Sequence, residues 1–134
     1  MYKKILVAMA LDHGYGHKAI ELARKLKEDD GEIIALHVFE PVHASVSLYV
    51  PDGHLAELHK SAKDDILKRI GQASDVKPVT LTGYPWRTIS DYAQEIEADC
   101  IIVGSHKPGL QDYFLGSTAA RIVRHAPCAV HVLR

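Results

Sequence analysis

The residues best suited to chemistry in this chain of 134 residues lie between Gly104 and Thr118. Gly104 directly follows an apolar run, and Gly116 and Ser117 precede a segment with helical periodicity. Glycine lets the backbone approach a phosphate closely, and hydroxyl and free N–H groups at a helix N-terminus favour an anion. Lys107 would add a cation. The pattern therefore predicts a phosphate site built from backbone amides and hydroxyls. One alternative stays open: the glycines serve only turns, and Ser117 only caps a helix.

A second glycine pattern follows the first apolar run of the chain. Gly14, Gly16 and Ala19 fit G-x-G-x-x-A, and Glu40 ends the second apolar run, which is the outline of a dinucleotide-binding fingerprint. In that fingerprint the first glycine stands directly at the strand end, whereas residues 11–13 intervene here. The chain is also too short for a six-stranded dinucleotide fold. We therefore interpret these glycines as the approach to the first helix.

The nine histidines raise the question of a metal site. His13 and His17 are separated by glycines that disfavour a shared helix face, and His54 and His59 have a poor helical spacing. No group of His, Cys or Asp has the spacing of a structural zinc site. A G-x-S-x-G elbow, which would indicate a nucleophilic serine, is absent from the sequence. The sequence thus predicts scattered, solvated histidines, no dedicated metal site and no catalytic residue.

The elements that would position the glycine-rich segment alternate between short apolar runs and segments of helical period. Continuous apolar runs are typical of strands that are buried on both faces of a parallel sheet. Strands are predicted over residues 5–9, 33–39, 79–81, 100–103 and 128–133, and helices over residues 17–29, 55–70, from Pro85 onward and 117–124. Gly31 is expected to end the first helix in the left-handed conformation, and residues 40–53 to form a loop.

This order of elements predicts one domain over residues 1–134, of the α/β class. Parallel strands joined by right-handed helical crossovers give an open doubly wound sheet with helices on both faces. In such a sheet a ligand binds beyond the carboxyl ends of the strands, where the strand order reverses. The loops after the first, second and fourth strands are therefore the expected site.

Composition excludes some classes of partner. The chain is 47% hydrophobic and 25% charged, with a formal net charge of -1, so neither nucleic acid nor an anionic membrane is an expected partner. No run resembles a signal peptide or approaches the length of a membrane span. Cys100 and Cys128 both lie in apolar runs, which favours small, buried, reduced thiols. A cytoplasmic location is expected.

Several segments together resemble the universal stress protein family. They are Ile5-Leu6-Val7, Leu36-His37-Val38, Ile101-Ile102-Val103-Gly104-Ser105-His106, Leu115-Gly116-Ser117-Thr118 and Ala126-Pro127-Cys128-Ala129-Val130. The likeness covers the whole chain, and the segments His106-Lys107-Pro108 and Arg124-His125-Ala126 are similar to the small enterobacterial F/G-type members.

The resemblance implies a fold and a ligand. The fold would be an open five-stranded parallel sheet in the order 3-2-1-4-5, adenine nucleotide alpha-hydrolase-like. The protein would act in a stress response as a homodimer through its last strand, from Cys128 to Leu133. The ligand would be an adenine nucleotide, ATP or AMP with or without Mg²⁺, with at most slow ATP hydrolysis. The implied nucleotide-binding residues are Ala8, Asp12, Val38, Val103, Gly104, His106, Lys107, Gly109, Gly116, Ser117 and Thr118.

The chain departs from the pattern of the nucleotide-binding members at two places. That pattern is Gly, two residues, Gly, nine residues, then Gly-Ser or Gly-Thr. Here Lys107 stands at the middle glycine, and eight residues separate it from Gly116. In the first strand Ala8 replaces the usual Pro and Ala10 the usual Asp, for which Asp12 is a candidate substitute. A dimeric interaction module of the same fold that has lost nucleotide binding is therefore the alternative function.

Overall fold

The computed structural model describes residues 1–10, 16–41, 51–69, 74–105 and 115–134. These residues form five strands, all paired in parallel: β1 (Tyr2–Ala8), β2 (Lys27–Phe39), β3 (Val76–Thr82), β4 (Cys100–Gly104) and β5 (Ala129–Leu133). Their order in the sheet is β3-β2-β1-β4-β5. The predicted parallel sheet and its strand order are confirmed.

Helices cover both faces of this sheet, as predicted. The helices among the described residues are α1 (Gly16–Leu26), α2 (His54–Arg69), α3 (Pro85–Glu95) and α4 (Ser117–His125). Ile20 of α1 and Ile66 of α2 are buried in the core on one face, which we call face A. Ile89 of α3 and Ile122 of α4 are buried in the core on the other, face B. The apolar stripe of each helix is thus used against the sheet.

The central strand β1 divides its side chains between the two cores. Ile5 and Val7 belong to the core of face A and Leu6 to that of face B, and none of the three has exposed surface. A strand buried on both sides cannot alternate apolar with polar residues. This is why the run of apolar residues in the sequence correctly predicted a central parallel strand.

The boundary between α1 and β2 differs from the prediction. The helix ends at Leu26 and the strand begins at Lys27, so Gly31 lies inside β2 and outside the left-handed region. The pairing with β1 is irregular there, because Tyr2 pairs with Lys27 but Lys4 pairs with Glu32. A Cβ on Gly31 would lie 3.0 Å from the carbonyl oxygen of Tyr2. The glycine therefore permits a close approach of two backbones and does not stop a helix.

Strand β3 is longer than predicted and contains Pro78. Among the described strands it lies at an edge of the sheet and pairs only with β2, so a residue without an N–H is tolerated. Pro85 begins α3, as expected from its fixed backbone angle. In the segment predicted as a loop, residues 42–50 lie outside the described residues, and Gly53 has a φ of 81° just before α2. None of the described helices is long and apolar enough to cross a membrane.

Candidate functional site

The switch point of the sheet lies at the carboxyl ends of β1 and β4. β1 has β2 on one side and β4 on the other. The chain therefore adds β2 and β3 on one side of β1, and then β4 and β5 on the opposite side. The crevice beyond those strand ends is where doubly wound folds bind ligands. The residues at these ends are Ala8 of β1, Phe39 of β2 and Gly104 of β4.

Residues predicted for the site share one face of the sheet. Ala8, Val38 and Val103 all contribute to the core of face B, which α3 and α4 cover. Val103 is buried, and Ala8 and Val38 are partly buried. The strand register places Ala8 beside Leu36, and Val7 beside Ile102. The structure therefore brings these predicted residues to adjoining positions at the carboxyl edge.

The start of α4 is held against the end of β4 through Ser105. This residue is fully buried. Its N–H donates to the carbonyl oxygen of Leu133 at 2.7 Å, and its own carbonyl accepts from the N–H of Gly116 at 2.6 Å. The bond from Gly116 to Ser105 thus holds the N-terminus of α4 close to the end of β4. The amides of Ser105 and Gly116 are bonded within the protein, so they are not among the unpaired amides that the phosphate prediction needs.

Among the described residues of this segment, free donors lie at the first turn of α4. Gly116 is the N-cap, with φ -58° and ψ 153°, and its carbonyl accepts the first helical bond from Ala120. The N–H groups of a first helical turn have no partner inside the helix. Ser117 is exposed and Thr118 is partly buried there. Because Ser117 is the first helical residue, the reading in which it is the N-cap is wrong.

The electrostatics of α4 suit an anion at its N-terminus. Its first turn contains no acidic residue, and its last turn carries Arg124 and His125. Basic groups at the C-terminus complement the negative end of the helix dipole. Because the first turn has no acidic residue, its own side chains do not compensate the positive end. The remaining predicted site residues, Asp12, His106, Lys107 and Gly109, lie outside the described residues.

A contact that sequence reasoning missed joins β1 to β2 at this edge. Nδ1 of His37 lies 2.9 Å from the carbonyl oxygen of Met9, and the N–H of Met9 donates to Leu36 O at 2.8 Å. The ring of His37 also packs edge-on against Phe39, at 4.7 Å between ring centroids. The alternation of strand β2 was the available signal, since it places His37 on the same face as Ile33 and Ala35.

A second histidine continues this cluster into α2 and β3. Nδ1 of His59 lies 2.6 Å from the hydroxyl of Thr80, and Nε2 lies 3.1 Å from that of Thr82. Its ring packs on Phe39 at 4.8 Å. His37 and His59 are therefore partly buried and hydrogen-bonded, which corrects the expectation of solvated histidines for these two. In the part of the chain that the structure describes, no three His, Cys, Asp or Glu residues are grouped to hold a metal.

The cysteines are not reactive groups of the site. Cys100 is buried in the core of face A, as predicted, and Cys128 is partly buried against the core of face B. Burial raises the pKa of the Cys100 thiol to about 11 and also raises the pKa of Cys128. Both thiols therefore stay protonated at neutral pH, and protonated thiols are poor nucleophiles.

The second glycine of the G-x-G-x-x-A pattern packs against protein. A Cβ on Gly16 would lie 2.8 Å from the terminal methyl of Met9. In a dinucleotide fingerprint this glycine leaves space for a pyrophosphate. Here the space is taken by a buried side chain, which favours the interpretation of Gly16 as part of the approach to α1.

Comparison with known proteins agrees with this architecture. Universal stress protein G of Salmonella typhimurium is 32% identical over an alignment of 143 positions, which covers 100% of both chains. The structure of universal stress protein UspA from Lactobacillus plantarum superposes with a TM-score of 0.74 at 26% identity, over 99% of this chain and 98% of that one. The fold is thus adenine nucleotide alpha-hydrolase-like.

Two more distant structures share the fold and hold adenine nucleotides. A universal stress protein from Archaeoglobus fulgidus was solved in complex with dAMP; it has a TM-score of 0.68 at 18% identity, over 99% of this chain and 98% of that one. One from Arabidopsis thaliana was solved with AMP bound; it has a TM-score of 0.60 at 19% identity, over 98% of this chain and 90% of that one. The universal stress protein family model itself matches residues 1–134. With its strand order and this match over the full sequence, the chain belongs to the universal stress protein family.

Proposed function

We propose that the protein binds an adenine nucleotide, ATP or AMP, where the carboxyl ends of β1, β2 and β4 meet the N-terminus of α4. The observation that carries the proposal is the bond from Gly116 N–H to Ser105 O, which holds the start of α4 at the end of β4. A helix N-terminus fixed beside a switch point is suited to a phosphorylated ligand. The complexes of family members with dAMP and AMP support the ligand class.

The described residues would divide the nucleotide among them. The backbone of Val38 would meet the adenine, and Val103 and Gly104 would lie below the ribose, with Ala8 at the exit of β1. The N–H and hydroxyl groups of Ser117 and Thr118 would hold the phosphates, and Gly116 would leave them room. Contributions from Asp12, His106, Lys107 and Gly109 stay predictions.

The proposed activity is binding with a regulatory role in a stress response. Mg²⁺ would arrive on the phosphates of the nucleotide, and Asp12 is the predicted candidate for a metal-linked role. Turnover would be at most slow ATP hydrolysis. Occupancy can act as a signal only if two states of the protein bind the nucleotide with different affinity.

Calorimetry and mass spectrometry test the proposal directly. Titration with ATP, AMP, GTP and adenosine should give binding heat for the adenine nucleotides and less for GTP. Nucleotide released from freshly purified protein should be identified by mass spectrometry as ATP or AMP. If neither method detects a nucleotide at high protein concentration, the proposal is wrong.

Substitution of Ser117 by Ala tests the phosphate end of the site. It should weaken ATP and AMP binding by about 1 kcal/mol, the usual net value of one neutral hydrogen bond. Adenosine is the matched ligand control, because it lacks the phosphate and its affinity should not change. Equal affinities of the variant and the wild type for AMP would show that the hydroxyl does not reach the ligand.

The alternative is a dimeric interaction module without nucleotide. It is favoured by Ala10, which is exposed at the position where the binding members carry Asp. A protein that is purified free of nucleotide and yet captures a defined partner, equally well with and without added AMP, would favour this alternative. Loss of capture on adding AMP would instead favour the nucleotide-dependent reading.

Homodimer formation through β5 is part of the proposal. In the described part of the chain β5 is an edge strand that pairs only with β4, and Val132 on it is 37% exposed. An edge strand offers unpaired backbone groups to a second copy of the chain. Sedimentation analysis should give the mass of two chains, and a monomer at all accessible concentrations would contradict it.

We also propose a cytoplasmic location. The two cysteines are not joined in a disulfide, which is the usual state of thiols in a reducing compartment. Fractionation of cells that produce the protein, followed by immunodetection, would test this, and recovery outside the cytoplasm would contradict it.

A further inference from the structure

The side chain of His37 contacts the residue at which the chain leaves β1. Its Nδ1 lies 2.9 Å from the carbonyl oxygen of Met9 in a partly buried position. The N–H of the same Met9 donates to the carbonyl of Leu36 at 2.8 Å. Met9 is itself only 4% exposed. Both backbone groups of this residue are therefore fixed by β2, one by the strand backbone and one by a side chain.

The chemistry of the pair defines where the proton lies. A carbonyl oxygen can only accept, so Nδ1 of His37 must carry the hydrogen. The ring is held in place by Phe39, whose own ring packs on His59 of α2. The orientation of the donor is therefore set by packing before any ligand arrives.

The position of His37 relates this contact to the site. His37 precedes Val38, and successive side chains of a strand point to opposite faces. Val38 lies on face B with Ala8, while the contact to Met9 orients the backbone that follows Ala8. His37 thus lies on the face opposite Ala8 and Val38 but is bonded to the backbone that borders the proposed site.

We propose that His37 is a positioning residue for the adenine half of the nucleotide site. Through the Met9 carbonyl it fixes the spacing between the chain leaving β1 and the backbone of Val38. It acts through these backbone groups and does not touch the ligand. The inference rests on the proposed function.

Two substitutions in the full-length protein test this role. His37→Leu removes the donor, and His37→Asn keeps an N–H donor close to the place of Nδ1. AMP affinity, measured by calorimetry, should fall about tenfold in His37→Leu, since a partly buried carbonyl loses its partner. In His37→Asn it should stay within about twofold of the wild type. His131→Leu is the matched control, because it removes a partly buried histidine that packs against Tyr2, outside this cluster, and should leave AMP affinity unchanged.

Hydrogen exchange of the ligand-free protein separates this inference from the proposed function. The Met9 amide should exchange faster in His37→Leu than in the wild type, and His37→Asn should restore slow exchange. Wild-type AMP affinity in His37→Leu overturns the inference, and so does an equal loss in His37→Asn. A wild-type protein that binds no AMP overturns the proposed function instead. In that event, equal Met9 exchange in all three proteins would overturn the role of His37 as well.

Discussion

The hydroxyl of Ser90 is buried in α3, and its oxygen has no hydrogen-bond partner among the described residues. An unsatisfied buried polar group costs free energy, and its removal relieves that cost. We expect Ser90→Ala to raise the free energy of unfolding by about 1 kcal/mol. Urea unfolding followed by circular dichroism measures the change.

The control for this substitution is Ser61→Ala in α2. Ser61 is exposed and also lies in a helix, so its replacement reports only the higher helix propensity of alanine, roughly 0.5 kcal/mol or less. The gain for Ser90 must exceed the gain for Ser61. Equal increases in the free energy of unfolding would show that burial of the Ser90 hydroxyl does not destabilise the protein.

Gly31 is expected to be required in β2, whereas Gly16 in α1 is not. A Cβ on Gly31 would meet backbone oxygens of Tyr2 and Lys3 at 3.0 Å, and backbone cannot move as easily as a side chain. Gly31→Ala should lower the free energy of unfolding by about 1 kcal/mol or more. A Cβ on Gly16 would meet only the flexible end of Met9, so Gly16→Ala should be tolerated.

Thermal unfolding of the two glycine variants provides the comparison. A lower midpoint for Gly31→Ala than for Gly16→Ala is the expected result. If both variants unfold at the same temperature as the wild type, the backbones of β1 and β2 leave more space for a Cβ at Gly31 than the structure indicates.

At the scale of elements, an ion pair joins α1 to the segment before β3. Nε of Arg24 lies 2.8 Å from one carboxylate oxygen of Asp75, and its Nη2 lies 3.1 Å from the other. The hydrogen bond from Arg24 holds the pKa of Asp75 below its ordinary value of 3.8. Both side chains are more than a third exposed, at 35% and 41%, so solvent weakens the pair. Its contribution to stability should be at most about 1 kcal/mol.

The pH dependence follows from the direction of this shift. A lowered carboxyl pKa gives stability that is present above the unfolded pKa and is lost as pH falls through the folded pKa. Asp75→Asn should therefore be less stable than the wild type at neutral pH. The difference should disappear in acid below 3.8, over the range in which both proteins stay folded. Urea unfolding at a series of pH values checks this, with exposed Asp64→Asn as the control. A difference that is independent of pH would exclude the ion pair as its cause.

The bounds of the helices and strands show which features a local sequence pattern can predict. The starts of the helices at Pro85 and Ser117 were predicted from local signals, and the structure confirms both positions. The start of β2 was missed, because Lys27 to Gly31 is a polar stretch whose local preference is to end a helix. Its pairing with Tyr2 decides the conformation instead, and such pairing is a contact between segments distant in sequence.

At the scale of the whole molecule, the exposed edge at β5 gives a prediction about assembly. Val132→Lys would place a positive charge from each copy at the proposed interface. Two-fold symmetry would thus bring two like charges into the same interface. The dimer dissociation constant should rise by roughly tenfold or more, since apolar side chains at interface centres dominate binding. Analytical ultracentrifugation measures it. Leu55→Lys is the control, because Leu55 is 47% exposed on α2, away from β5.

Unchanged dimerisation of Val132→Lys would place the interface elsewhere. A monomer in Leu55→Lys would contradict the proposed interface as well. Each result can be read without reference to nucleotide, so assembly and ligand binding are tested separately.

The sequence by itself determined the class of fold, and it identified the segment that is predicted to bind phosphate. Continuous apolar runs and helical stripes are local patterns, and the order in which they alternate limits the topology to a doubly wound sheet. The resemblance to the family supplied the strand order, which the structure confirms. Glycines and hydroxyls at a helix start can also be read along the chain without knowing what lies beside them.

Only the tertiary structure decided which donors are free and what holds the strand ends together. The amides of Ser105 and Gly116 are bonded to Leu133 and Ser105, partners that no local pattern identifies. The bond from His37 to Met9 joins residues 28 positions apart. Hydrogen-bond satisfaction depends on neighbours in space, and a sequence lists only neighbours along the chain.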